Sequence, residues 1–415
     1  MNSEIISVGD ELLIGQVVNT NASWMAAELN KWGIEVVQIT AVGDNPEAIK
    51  NALDSASQRA ELILITGGLG PTKDDITKKV LAEYFNSGFV FHEPTFEHIA
   101  KLFAARNYPL TEVNRKQAEI PDNCIPLENV NGTAPGMWFE KDAKVFVSMP
   151  GVPFEMKTLL TEQVIPRVRA QFKMGFIFHK TIMTLGIGES MLAEKISAWE
   201  DSLPEHIKLA YLPQPGMVRL RLSGKGIDKE KLETEIETLS NNLQQIIPEL
   251  IYGFDDISLE ETIGKLLIKK GKTLSTAESC TGGYIAHLLT SIVGSSNYFA
   301  GSIISYSNEV KINQLGVNEA DLQTYGAVSR QVVEQMALGG RERLKTDYCL
   351  SVSGIAGPDG GTPEKPVGTV WIGLASDKGA RSQLFHFSEH RGRNIRRSAL
   401  AALNMLREEL SIGNK

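Results

Sequence analysis

The sequence predicts an α/β protein of two or three domains, from three observations. Short apolar runs alternate with amphipathic stretches up to about residue 170, the pattern of right-handed βαβ units in a doubly wound sheet. Small-residue loops follow several of the apolar runs, where α/β sheets place their ligands. At 415 residues the chain is also too long for one ordinary core.

In order, Ile5-Ile6-Ser7-Val8 reads as a strand ending in Gly9-Asp10-Glu11, and Asn21 to Lys31 as a helix with Trp24, Ala27 and Leu29 among its apolar positions. Ile34 to Val42 is strand-like. Asn45-Pro46 is a cap followed by proline at the first helical position, and Ala48, Ile49, Ala52, Leu53 and Ala56 supply the apolar face of the helix. Leu62-Ile63-Leu64-Ile65 is a continuous apolar run of the buried parallel type, followed by Thr66-Gly67-Gly68-Leu69-Gly70-Pro71-Thr72-Lys73-Asp74-Asp75. Glycines allow a phosphate to approach the backbone closely, so Gly67, Gly68, Gly70 and Thr72 form a candidate diphosphate loop, although it is neither GxGxxG nor a P-loop. Asp74 and Asp75 either hold a divalent metal against that diphosphate or cap the helix carrying Ile76, Val80 and Leu81. Asn131-Gly132-Thr133-Ala134-Pro135-Gly136, the strand Lys144 to Ser148 and Met149-Pro150-Gly151-Val152-Pro153-Phe154-Glu155-Met156 complete this part.

Residues 171–253 read as a small α+β unit. A strand at Thr181 to Leu185 leads through Gly186-Ile187-Gly188-Glu189-Ser190 into a helix, Met191 to Trp199. Strands at Lys208 to Leu212 and Val218 to Leu222 flank a turn, and Lys229 to Ile247 is a charged amphipathic helix.

A capping box, Ser258-Leu259-Glu260-Glu261, opens a third domain over 254–415. Its centre is Thr276-Ala277-Glu278-Ser279-Cys280-Thr281-Gly282-Gly283, between a strand at Lys272 to Ser275 and a helix at Tyr284 to Leu289. Such a turn leaves backbone N–H groups unpaired at a helix N-terminus, where they favour an anion. Ser279 there is either an acyl-transfer nucleophile beside ready-made donors or, like Thr281, an N-cap. None of the seven histidines sits in a serine-hydrolase pattern and no GxSxG elbow occurs, so a base for Ser279 falls to Lys311 or Tyr306 after the strand Ala300 to Tyr306. The alternatives are a solvated surface lysine and a half-buried strand aromatic. Tyr348 to Ser353 and Thr369 to Ala375 are further strands, the first ending in Gly354-Ile355-Ala356-Gly357-Pro358-Asp359-Gly360-Gly361.

Composition excludes several classes. The chain is 42% hydrophobic and 22% charged with net charge −8, which argues against a general nucleic-acid or membrane-surface binder. Its three cysteines are far apart, with no CxxC, so neither a disulfide framework nor a zinc site is indicated. No apolar run approaches the roughly 20 residues of a membrane span. The N-terminus goes straight into a strand without a leader pattern, and a cytoplasmic location is expected.

Gly9-Asp10-Glu11, Gly67 to Thr72 and Pro150 to Glu155 resemble the molybdopterin-binding fold as it occurs in the competence/damage-inducible protein CinA family. Ala277 to Gly283, Tyr306-Ser307-Asn308-Glu309, Gly326-Ala327-Val328-Ser329 and Val352 to Val370 resemble that family's C-terminal domain, itself similar to free-standing nicotinamide-mononucleotide deamidases. The resemblance spans the chain. It implies a molybdopterin-binding-like domain (1–170) that hydrolyses ADP-ribose to AMP and ribose 5-phosphate with a divalent cation, Mg2+ or a transition metal, near Asp75 and Glu155. It also implies a KH-like connecting domain (171–253) and a metal-free deamidase domain (254–415). In the deamidase, Ser279 is the implied nucleophile, assisted by Tyr306 and Lys311. Ser353 stands where the family often has threonine. Thr281, Gly282, Gly283 and Gly354 are placed at the substrate. The family's phosphate-binding arginine follows Phe-x-Gly-(Asp/Asn); here the segment reads Phe387-Ser388-Glu389-His390-Arg391-Gly392-Arg393, so Arg391 is the choice and Arg393 the alternative. An RNA-binding KH domain carries GXXG on a basic surface. Gly186-Ile187-Gly188-Glu189 departs from it, and a structural spacer is expected. A homodimer follows from the resemblance alone. Two rival readings are a regulatory module of DNA uptake or repair with degenerate sites, and a pterin-handling module of molybdenum-cofactor assembly.

Overall fold

The computed structural model describes residues 1–72, 74–388 and 390–411; Lys73 and Glu389, which fall in two of the motifs above, lie outside the described residues. The chain forms two compact units, Met1–Phe178 with Gly224–Glu233, and His179–Ser223 with Thr234–Lys415.

In the first unit the strands are β1 (Asn2–Val8), β2 (Glu35–Val42), β3 (Leu62–Thr66), a small antiparallel pair β4 (Phe89–Phe91) and β5 (Glu119–Pro121), then β6 (Ile125–Leu127), β7 (Gly136–Lys141) and β8 (Lys144–Met149). The main sheet has the order β2-β1-β3-β8-β7-β6. Its β2, β1, β3 and β8 run parallel, while β7 and β6 are antiparallel, so the doubly wound sheet carries an antiparallel edge that no apolar alternation had announced. Every residue of β3 is buried, as a central parallel strand requires. The helix Pro46–Ser57 starts as its cap and proline predict, with Asn45 accepting from the Ala48 N–H, and it buries Ile49, Ala52, Leu53 and Ala56. On the opposite face Met25 and Leu29 of the helix Thr20–Lys31 pack with Trp138, Met156 and Val168.

The second unit holds two sheets. One contains β9 (Phe176–Leu185, counted in this unit from His179), β10 (Ile207–Gln214), β11 (Met217–Gly226, counted in it up to Ser223) and β12 (Ile251–Phe254), in the order β10-β11-β9-β12. The other contains β13 (Leu274–Glu278), β14 (Phe299–Ile304), β15 (Tyr348–Gly354), β16 (Thr369–Ser376) and β17 (Gly379–His386), in the order β14-β13-β15-β16-β17. In it β14, β13 and β15 are parallel, and β16 and β17 turn antiparallel. Both sheets share one core. Met183, Leu185, Met217 and Tyr252 cluster with Leu259, Ile263, Leu350 and the inner face of the helix Arg391–Ser411. Arg407 of that helix is buried and donates to the carbonyls of Glu249 and Ile251, so the C-terminal helix bridges both sheets. No described helix is long and apolar enough to cross a membrane.

Leu403 is fully buried in this core. Leu403→Ala is expected to destabilise the second unit by about 2–5 kcal/mol in chemical denaturation; a loss below about 1 kcal/mol would contradict a shared, close-packed core.

Candidate active sites

Strand β13 runs further than its apolar residues alone indicate, because Glu278 at its end is fully buried. The cause is local. Left-handed Gly282 and Gly283, at φ 59° and 96°, turn the chain back into the helix Tyr284–Thr290. That turn aims the N–H groups of Gly283, Ile285 and Ala286 at the Glu278 carboxylate, at 3.0, 3.1 and 2.8 Å. The anion expected at this helix N-terminus is therefore the chain's own Glu278, which corrects the expectation that those donors are open. Ser279, the next residue, is 8% exposed, and its N–H donates to the Val352 carbonyl at 2.9 Å, locking it to the end of β15. It caps nothing. Among the described residues the amides of Cys280 and Thr281 have no partner, and of the two only Cys280 lines the same cavity as Ser279, so its amide, rather than those of the helix, is the donor open to an oxyanion.

Lys311 lies in the first turns of the helix Asn308–Leu315, capped by Ser307. It is 1% exposed, so it is not a solvated surface lysine. Its Nζ reaches the Ser279 Oγ at 3.1 Å and the carbonyls of Ser305 and Tyr306 at 2.8 and 3.3 Å. Among the described residues no carboxylate pairs with it, and desolvation holds its pKa below the ordinary lysine value. A neutral amine in this place gives its hydrogens to the two carbonyls and turns its lone pair to the Ser279 hydroxyl. Burial also pushes the neighbouring Cys280 thiol up to about 12, which keeps it protonated and poorly nucleophilic.

These groups face a cavity of about 180 Å3 whose wall includes Ser279, Tyr306, Asn308, Lys311, Ser353, Gly354 and Arg391. Tyr306 lies just beyond β14 and is 63% exposed, at the cavity mouth. Its phenol is 3.4 Å from an Arg391 Nη, and the other Nη of Arg391 donates to the Gly357 carbonyl at 2.9 Å. Arg393 is exposed and absent from the wall, which favours Arg391. The Ser353 hydroxyl is committed to the Ala327 carbonyl at 2.7 Å, so it shapes the wall. At Gly354 a Cβ would meet Val370 Cγ2 at 2.6 Å, a packing demand. Thr281, Gly282 and Gly283 do not line the cavity; the two glycines build the turn. Asn308 was missed as a site residue, although it stood inside a quoted motif. The signal was Ser307: a cap places the following residue at the helix start, next to Tyr306.

The first unit has a cleft of about 500 Å3 at the carboxyl ends of β1, β3 and β8. Gly67 and Gly68 take φ 107° and 65°; a Cβ there would lie 2.2 Å from the Val8 carbonyl and from Thr77 Oγ1, so the loop lies flat against the sheet. Gly67, Gly68, Gly70, Asp75 and Glu155 line the cleft, and Thr72 does not. Thr72 instead gives its N–H and hydroxyl to the Asp75 carboxylate at 2.9 and 2.5 Å. The helix Thr77–Tyr84 has Ile76 at its N-cap without a side-chain cap, so the capping alternative for Asp74 and Asp75 falls away. Glu155 accepts from Asn129 Nδ2 at 2.6 Å. Asp44 also lines the cleft, and its pKa is raised, first by burial and then by nearby Asp10, Glu11 and Asp74. Among the described residues no three acidic, histidine or cysteine side chains are grouped to hold a metal unaided. Asp75 and Glu155, carboxylates in the wall of a cleft that also contains the glycine loop, are a donor set that fits a hard cation drawing its remaining ligands from a diphosphate and water.

Three domain types follow one another along the chain. Family models match the Probable molybdopterin binding domain over residues 4–170, the Damage-inducible protein CinA KH domain over 179–253, and the CinA C-terminal domain over 256–410. The CinA-like protein of Flavobacterium psychrophilum is 47% identical over 99% of both chains, and that of Cytophaga hutchinsonii 46% identical over 98% of both. The chain belongs to the CinA family. Among solved structures, the competence/damage inducible protein CihA from Agrobacterium tumefaciens is 36% identical, with 38% of this chain and 98% of that chain covered and a TM-score of 0.35.

Glu278→Gln removes one of the two carboxylate oxygens that bind three amides. It is expected to cost about 1–3 kcal/mol in thermal unfolding, and an unchanged midpoint would show that the carboxylate does not hold the turn.

Proposed function

We propose that the C-terminal domain hydrolyses the carboxamide of nicotinamide mononucleotide to nicotinate mononucleotide and ammonia. The observation carrying this reading is the buried, desolvated Lys311 amine 3.1 Å from the Ser279 hydroxyl. Ser279 Oγ attacks the carboxamide carbon while neutral Lys311 takes its proton. The oxygen charge is met by the amide of Cys280. The proton then passes to the nitrogen as the C–N bond breaks, ammonia leaves, and an ester remains on Ser279. Water, deprotonated by the same amine, hydrolyses the ester and restores the hydroxyl. Tyr306 assists proton transfer at the mouth, and Arg391 beside it suits the substrate's phosphate.

Ammonia release measured in excess EDTA is expected to persist in the intact protein and to fall by at least about 10³-fold in Ser279→Ala. Release that survives the substitution would move the chemistry elsewhere. The base must be unprotonated, so kcat/KM should fall as pH drops through the depressed Lys311 pKa, with the acid limb below the ordinary lysine range. Lys311→Met should lose about 10²–10⁴-fold and flatten that limb.

For the N-terminal domain the proposal is hydrolysis of ADP-ribose to AMP and ribose 5-phosphate. The glycine loop would take the diphosphate, and Asp75 with Glu155 would hold a divalent cation that neutralises its charge. Asp75→Asn should lower cation-dependent AMP formation by at least about tenfold, the size expected for groups around a metal, and leave ammonia release intact. An equal loss of both activities would point to unfolding.

A further inference from the structure

Two cavities of the second unit lie side by side and share Gln214, Met217 and Leu400. Neither contains a residue of the sites described above. The first, about 280 Å3, has the rings of Tyr252 and Tyr284, the carboxylates of Asp256 and Glu260, and the guanidinium groups of Arg219 and Arg396 in its wall. The second, about 690 Å3, has Phe385, Phe387, Glu189, Glu408 and Arg397. Arg396 and Arg397 are adjacent on the helix Arg391–Ser411, one facing each cavity. Both stand near the shared boundary, since Arg396 is one turn before Leu400 and Gly216 lies within 3.6 Å of Arg397 Cγ and 3.4 Å of Leu400 Cδ1 from an ideal Cβ position.

Each cavity therefore has aromatic rings, carboxylates and arginine in its wall, and Arg396 and Arg397 lie beside residues that the two cavities share. Neither Arg396 nor Arg397 has a hydrogen bond or ion pair among the described residues. Arg219 spends one Nη on Asp256 at 3.1 Å, and its Nε is buried without a partner. Phe385 and Phe387 stack with centroids 5.7 Å apart. Guanidinium groups match phosphate oxygens, carboxylates accept from ribose hydroxyls, and flat apolar walls suit a base.

We propose that the joined cavities bind a nucleotide bearing a diphosphate, its phosphates between Arg396 and Arg397, and that it acts as an effector. Two helices give it a route. The short helix Tyr284–Thr290 leaves the Ser279 turn and presents Tyr284 to the cavity, and the long helix Arg391–Ser411 begins at Arg391 in the wall of the Ser279 cavity.

Calorimetric titration of the full chain with ADP and with NAD+, in excess EDTA, tests the site. At least one should bind, Arg396→Ala/Arg397→Ala should weaken it at least about tenfold, and Asp75→Asn should leave it unchanged. Equal affinities identify a nucleoside diphosphate as the shared ligand chemistry, and tighter NAD+ a dinucleotide. No binding by either, binding indifferent to the double substitution, or binding lost only in Asp75→Asn would overturn the site. The effector role rests on the deamidase reading: saturating ligand should change KM for nicotinamide mononucleotide by about fivefold or more, and an unchanged KM with binding intact would overturn that role. A protein that releases no ammonia would fail the deamidase reading, while the calorimetry still decides the site.

Discussion

A lysine amine buried with no carboxylate beside it among the described residues is the feature on which the chemistry proposed for the C-terminal domain depends. Lys311 Nζ is held by two carbonyls and one hydroxyl, and no carboxylate among the described residues comes to it. Removing water from an ammonium without supplying an anion disfavours the charged form, so the fold itself prepares a base. A carboxylate in the same place would pair with the amine and raise its pKa. The nearby acid, Glu278, is instead consumed by three helix amides and two hydroxyls, of Thr276 and Ser302. One anion organises the turn and so leaves the amine unpaired.

The two candidate sites share a construction. Each lies at the carboxyl end of parallel strands, and each uses positive-φ glycines to turn the chain tightly there. They differ in charge. The N-terminal cleft gathers carboxylates around a flat backbone loop and fits a cation with a diphosphate. The C-terminal cavity presents an amine, an arginine and a hydroxyl.

Much of the frame was legible in the sequence because periodicity and punctuation report local structure. The run Leu62 to Ile65 announced a central strand, and Asn45-Pro46 fixed a helix start to the residue. Short edges were harder: β6 and β7 carry no long apolar alternation, and β17 is half exposed, so their pairing comes from neighbours rather than from their own residues. Ser279, Lys311, Tyr306, Ser353 and Arg391 do line one cavity. The direction of each polar group was not readable. Thr72 serves Asp75, Ser353 serves a carbonyl, and the helix amides serve Glu278, all pairings made through the folded chain.

The most direct test of the Ser279–Lys311 account is rapid acid quench of the protein with nicotinamide mononucleotide, followed by mass analysis of the peptide containing Ser279. The account predicts that ammonia release is matched by a nicotinate-mononucleotide ester on Ser279, with no such adduct on Cys280. A burst of ammonia with the Ser279 peptide unmodified, or with the adduct on another residue, would contradict it.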